Sequence, residues 1–170
     1  MTKILFLALV LCGQAAAAQG VRICGSELEY SKGKVKNASI YYKASEILLN
    51  SRDKLLYKYR LAVNLKNESP VLADGLVFRY AVFSKIKKST GSAEGIWSVP
   101  FYSGEVRVSK MGPSSGKKIY ILNFDLAEQL RKIRNSGFEI EAVKIEIMKE
   151  PKKEDETVDI FSRTINLKKI

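Results

Sequence analysis

The feature that most constrains this chain is a period of two in "KLLYKYRLAVNLKNESP", residues 54 to 70. Leu55, Tyr57, Tyr59, Leu61, Val63 and Leu65 fall on one side of an extended chain, with Lys58, Arg60, Asn64 and Lys66 on the other. A helix, at 3.6 residues per turn, would scatter those apolar side chains around its whole circumference. A strand with one wet and one buried face uses them all. Pro70 lacks the N–H that would extend the ladder, so "NESP" reads as a turn. "GLVFRYAVFSKIKK" then alternates again through Leu76, Phe78, Tyr80, Val82 and Ile86, and two long antiparallel strands are expected.

Further strands are expected near 21–30, 37–49, 96–101, 104–110, 117–124, 138–149 and 157–167. One helix is expected at "DLAEQLRKIRNSG": Asp125 is placed to cap it, Glu128 holds the capping-box position, Leu126, Leu130 and Ile133 share a face, and Gly137 is suited to end it. The last two strands each change phase. Phe138 and Ile140 give way to Val143, Ile145 and Ile147, while Val158 and Ile160 give way to Phe161, Ile165 and Leu167, so a bulge is expected in each. Strands without βαβ alternation specify an all-β fold, an antiparallel β-sandwich with one short helix in a late inter-strand connection. Residues 19–170 are expected to form one domain.

The long strand "YKYRLAVNLKNES", its companion and the late helical crossover resemble the immunoglobulin-like sandwiches of exported bacterial proteins. That resemblance is architectural. The cysteine pair and core tryptophan of antibody domains are not present, since Cys24 has no second mature cysteine and Trp97 lies between "GSAEG" and "PFYSG". It implies company with pilus subunits, adhesins and periplasmic binding modules, where fold alone does not fix function.

Lys3, the apolar run Ile4–Cys12 and the small residues Ala16-Ala17-Ala18 read as a signal peptide over residues 1–18. The run is well short of the ~20 residues of a membrane-spanning helix, and no transmembrane span is expected later. Leu11 fills the position where a lipoprotein signal places a small residue, so anchoring through Cys12 is the lesser reading and mature protein begins near Gln19. Cys24 then has no internal disulfide partner and is expected to act as a small buried hydrophobe. The sequence holds 29 Lys and Arg against 18 Asp and Glu, of which only Lys3 leaves with the leader. The excess is uneven: residues 19–137 carry +11 and residues 138–159 carry −4. Such a basic exported body meets acidic glycans or acidic protein faces. No nucleic-acid partner is expected, because no recognition motif accompanies the charge.

No histidine occurs in the chain, which removes Ser-His-Asp and Cys-His catalysis. Ser84 and Lys87 fit S-x-x-K but lie on opposite faces of a strand, and Ser115 and Lys118 sit in a turn. "GPSSGKK" departs from a phosphate loop in spacing and in the strand that follows it. The pairs Glu27 with Glu29 and Glu139 with Glu141 have the ~6.8 Å spacing of one strand face, which glycosidases use and ordinary wet faces share. In "KEPKKEDETVD", Glu154, Asp155, Glu156 and Asp159 are conceivable calcium ligands, but Lys152 and Lys153 compete and the calcium-loop glycine is missing. No cofactor, no metal and no catalytic residue is assigned.

The strongest contact candidate is "SKIKKSTGSAEGIWSVPFYSG", where Lys85, Lys87 and Lys88 lead to Trp97, Phe101 and Tyr102. A competing expectation turns Trp97 and Phe101 into the core. The expected function is a non-catalytic secreted or periplasmic interaction module in a pilus or other envelope assembly, with an envelope or pilus protein, or a second copy, as partner. Alternatives are a carbohydrate- or cell-wall-binding domain and, behind it, a glycan-acting hydrolase. A deep cleft gathering Glu139, Glu141 or Lys118 beneath an aromatic wall would reverse that order.

Overall fold

The computed structural model describes residues 20–35, 38–52, 54–90, 94–122, 126–152 and 159–170. The described strands are β1 (Val21–Ser31), β2 (Lys34–Val35), β3 (Ala38–Ser39), β4 (Tyr42–Ala44), β5 (Ile47–Leu49), β6 (Lys58–Asn67), β7 (Ala73–Lys88), β8 (Ile96–Trp97), β9 (Tyr102–Met111), β10 (Gly116–Leu122), β11 (Phe138–Lys149) and β12 (Ile160–Lys169), with one helix, α1 (Leu126–Asn135). Two sheets carry the all-β fold. The smaller has the order β10-β6-β1-β4; the larger runs β5-β12-β11-β7, with β8 and β9 both pairing the far side of β7. β2 and β3 make a separate small hairpin.

The alternation places the side chains as expected but pairs the strands differently. β6 and β7 are not partners: β6 lies between β1 and β10, and β7 between β11 and β9. The "NESP" turn therefore carries the chain from one sheet to the other. Segment 37–49 is likewise not one strand, because the bends at Ser45 and Glu46 hand it from β1, which β4 pairs, to β12, which β5 joins in parallel. Residues 112–115 make another crossing, between β9 and β10.

The inner faces meet in one apolar cluster. Leu28, Leu61, Val63, Leu65, Ile119 and Ile121 come from the smaller sheet, and Leu76, Phe78, Val82, Val143, Ile145, Ile147 and Ile165 from the larger. Each such side chain contributes roughly 1.5–3 kcal/mol relative to exposure. Asn67 is the polar exception, at 0% exposure. Its amide nitrogen donates to the carbonyls of Val71 (2.9 Å), Gly112 (2.9 Å) and Met111 (3.4 Å), and its amide oxygen accepts from the Ser69 N–H at 3.1 Å. One side chain thereby ties together two of the crossings between sheets.

α1 buries Leu126 and Leu130. Its last turn closes as the sequence indicates: Gly137 has φ 76°, and its N–H reaches the Arg134 carbonyl at 3.0 Å. Asp125, the expected cap, lies outside the described residues. β11 has its bulge, a register shift between Ile140 and Ala142 opposite β7. β12 has none, since its ladder with β11 runs unbroken from Ile160 to Asn166. Ile160 faces outward there, and Phe161, Ile165 and Leu167 keep a single phase. A bulge does occur in β1, between Ile23 and Gly25. The extra residue is Cys24, which this places on the surface and not in the core.

Candidate contact surface

Strand alternation divides the candidate contact residues between the two faces of the larger sheet. Tyr102 enters β9 opposite Val82 and Phe101 donates its N–H to the Val82 carbonyl (2.9 Å); both rings pack against the core. Trp97 pairs across from Lys85, on the outer face, and is 40% exposed. The competing expectation thus holds for Phe101 and fails for Trp97. Ser98 still donates its N–H to the Ser84 carbonyl at 2.9 Å, and the ladder breaks at Val99-Pro100, which shifts the phase between the two aromatic positions.

Around Trp97 the outer face combines aromatic rings with cations. Lys144 of β11 lies opposite Phe83 of β7, and its ammonium sits 4.6 Å from the Phe83 ring centre and 5.2 Å from that of Trp97. Lys85 reaches Glu94 at 3.0 Å and Glu141 at 4.0 Å, while Lys87 reaches Glu141 at 3.2 Å. Lys88 is exposed at the end of β7. Ile96 and Val99, close to Trp97 in sequence, are 69% and 81% exposed. Pro100 has no N–H to offer an incoming strand, so this edge is suited to side-chain contact and not to sheet extension.

Sequence reasoning misses Phe83 and Lys144. Phe83 is an aromatic side chain out of phase with Leu76, Phe78, Tyr80 and Val82, a legible sign of an apolar group on a wet face. Lys144 gives no such sign, because its meeting with Phe83 depends on the cross-strand register after the bulge.

The remaining candidates lie elsewhere. Ser84 is buried and shares a 3.0 Å hydrogen bond with Ser98, away from Lys87. Ser115 donates to the Gly112 carbonyl at 2.7 Å, and Lys118 pairs with Glu27 at 3.4 Å. Glu27 and Glu29 belong to an ion-pair network on the outer face of the smaller sheet. Lys43 contacts Glu27 at 2.5 Å, and its hydrogen bond holds the Glu27 carboxyl below the usual carboxylate range despite some desolvation. Glu29 accepts from Arg60 at 2.7 Å, and the Arg60 guanidinium lies between Tyr41 and Tyr120, 3.4 Å and 4.0 Å from their ring centres. Glu139 and Glu141 line a depression of about 300 Å³ with Phe138, Leu130 and Leu167, but Lys87 also lines it and engages Glu141. Lys118 is on the other sheet. Glu154, Asp155 and Glu156 lie outside the described residues. Among the described residues no three His, Cys, Asp or Glu side chains gather closely enough to share a metal ion.

No protein-family model and no curated protein matches the sequence. Among solved structures, the chain is similar to a β-glucosidase from Erythrobacter marinus (16% identity, TM-score 0.38), covering 87% of this chain and 15% of that one. It is also similar to a β-glucosidase from Listeria innocua (15% identity, TM-score 0.32), with 84% of this chain and 16% of that one covered. The chain thus spans only a small part of either enzyme's length. Among the described residues no helix is long and apolar enough to cross a membrane.

Proposed function

We propose that this chain is a non-catalytic, exported interaction module, secreted or periplasmic, that works in a pilus or another envelope assembly through the outer face around Trp97. The single observation behind this reading is the placement of that tryptophan. A core tryptophan would be explained by packing; this one is 40% exposed on the outer face, and Lys144 lies near both its ring and that of Phe83. Buried aromatic anchors carry most of the energy of protein contacts, and cations at their rim orient the encounter. The order of strands, with β10-β6-β1 facing β12-β11-β7-β9, supports an immunoglobulin-like sandwich. The leader at residues 1–18 supports export, with mature protein beginning near Gln19 and unlipidated.

Site-directed photocrosslinking tests the surface whatever the partner's identity. A photoreactive residue at position 97 or 144 should give discrete adducts in exporting cells of the native host, while one at position 120, on the other sheet, should not. Adducts equal at all three positions, or none at 97 and 144, overturn the assignment. Adducts formed only with acidic polysaccharide make the module a glycan binder instead. Intact-mass analysis of the same material tests the address, since a first residue of acylated Cys12 replaces a soluble module with a lipoprotein.

A further inference from the structure

A second surface, remote in chemistry from Trp97, lies beside α1. Because Leu126 and Leu130 point inward, Arg131 and Arg134 emerge on the exposed side of the helix. Leu55 bridges to Leu49 and brings Lys54 against the same helix. Together Lys54, Leu55, Ala127, Leu130, Arg131 and Arg134 line a depression of about 290 Å³. Its lining is three cations and three apolar side chains, without a carboxylate.

The absence of a counter-charge is not incidental to the local sequence. Glu128, the acidic residue on α1, is engaged by Lys132 at 2.6 Å. Arg134 is held by donating to the Arg52 carbonyl at 2.6 Å, which fixes its guanidinium without neutralising it. Among the described residues no carboxylate pairs with Lys54, Arg131 or Arg134. The helix dipole favours cations at its C-terminal turn, but Lys54 comes from a different segment. Leu130 and Arg134 also line the neighbouring depression of about 300 Å³, where Leu49, Phe138, Ile140 and Leu167 lie together with Glu139, Glu141, Lys87 and Lys169, and where Lys87 engages Glu141 at 3.2 Å. The cationic mouth therefore adjoins a second depression whose apolar part is Leu49, Phe138, Ile140 and Leu167.

We propose that this groove binds a single-chain anionic amphiphile: a carboxylate or phosphate held by Lys54, Arg131 and Arg134, with its aliphatic stem lying along Leu130 towards Leu49 and Leu167. The charge of the mouth selects the anion, and the apolar side chains beside it, Leu55, Ala127 and Leu130 in the mouth and Leu49 and Leu167 beyond it, select a stem over a bare ion. Each depression is at the lower limit of ligand-pocket size, which suits one chain and excludes a diacyl lipid. The proposal does not depend on the Trp97 surface.

Isothermal titration of the full mature protein with decanoate, decyl phosphate, decanol and inorganic phosphate, all below micelle-forming concentration, tests it. Decanoate or decyl phosphate should bind at one site, and their ratio of affinities identifies the head group. Arg131→Gln and Arg134→Gln lie on the exposed helix face, so the fold should persist by circular dichroism while affinity falls roughly tenfold for each. Trp97→Ala should leave binding unchanged. Decanol binding as tightly as the better of decanoate and decyl phosphate, inorganic phosphate as tightly as decyl phosphate, unchanged affinity in both glutamine variants, or no binding by any probe would each overturn the proposal.

Discussion

Replacing Asn67 by alanine should destabilise this protein out of proportion to the size of the change. The side chain makes two donor bonds at 2.9 Å, a longer one at 3.4 Å, and accepts one at 3.1 Å, all to backbone groups of residues 69–71 and 111–112. A net ~1 kcal/mol for each of the three well-formed bonds gives about 3 kcal/mol, and the buried carbonyls left without a donor keep the loss from being smaller. For a chain of this size that corresponds to a fall in Tm of roughly 6–12 °C. Urea denaturation followed by circular dichroism should show a lower midpoint with the same m-value, because the substitution alters stability and not the surface exposed on unfolding. Asn67→Asp should be worse than alanine, since a buried carboxylate would face the carbonyls of Val71 and Gly112 in place of a donor. An alanine variant within ~0.5 kcal/mol of wild type, or an aspartate variant more stable than the alanine one, would refute the idea that this amide ties the crossings together.

Gly104→Ala should cost ~1–3 kcal/mol, because a Cβ there would lie 2.6 Å from the Tyr80 hydroxyl and 2.7 Å from its ring carbon; Tyr80→Ala/Gly104→Ala should cost less than the sum of the single changes, as a double-mutant denaturation cycle would show. Tyr80 itself sets an alkaline limit. Burial, together with neighbouring Tyr102, pushes its phenol up to about 12 from 10.0, so the folded state holds the proton longer than the unfolded one. That contribution is complete below pH 10 and is lost as pH rises through about 12. Denaturation midpoints measured along that range should fall, and should fall less in Tyr80→Phe.

The strands were legible because burial on one face writes a period of two, and the helix because its Leu126, Leu130, Ile133 face writes another and Gly137 marks its end. Pairing was not, since the same alternation in 55–65 and 76–86 serves whether two strands share a sheet or face each other across a core. What decides is the connection: Asn67 looks like an ordinary turn residue until its amide is seen reaching Val71 and Gly112 together. The bulges show the same limit. A phase change in 138–147 reported a real one, whereas the change near 158–161 arose because Ile160 is an exposed apolar residue, and the bulge at Cys24 left no apolar phase to read.

The contact surface divides along the same line. Whether an aromatic residue faces in or out depends on strand phase, so Phe83 was recoverable from the pattern, and Trp97 was not, because Pro100 interrupts the phase between it and Phe101. Lys144 needed the register that the β11 bulge imposes. The cationic groove needed still more, since Lys54 and Arg131 are far apart in sequence and meet only after α1 has seated Leu130 against the core. Regular elements here are set by local periodicity, whereas both candidate surfaces are made by groups that connections and bulges bring together.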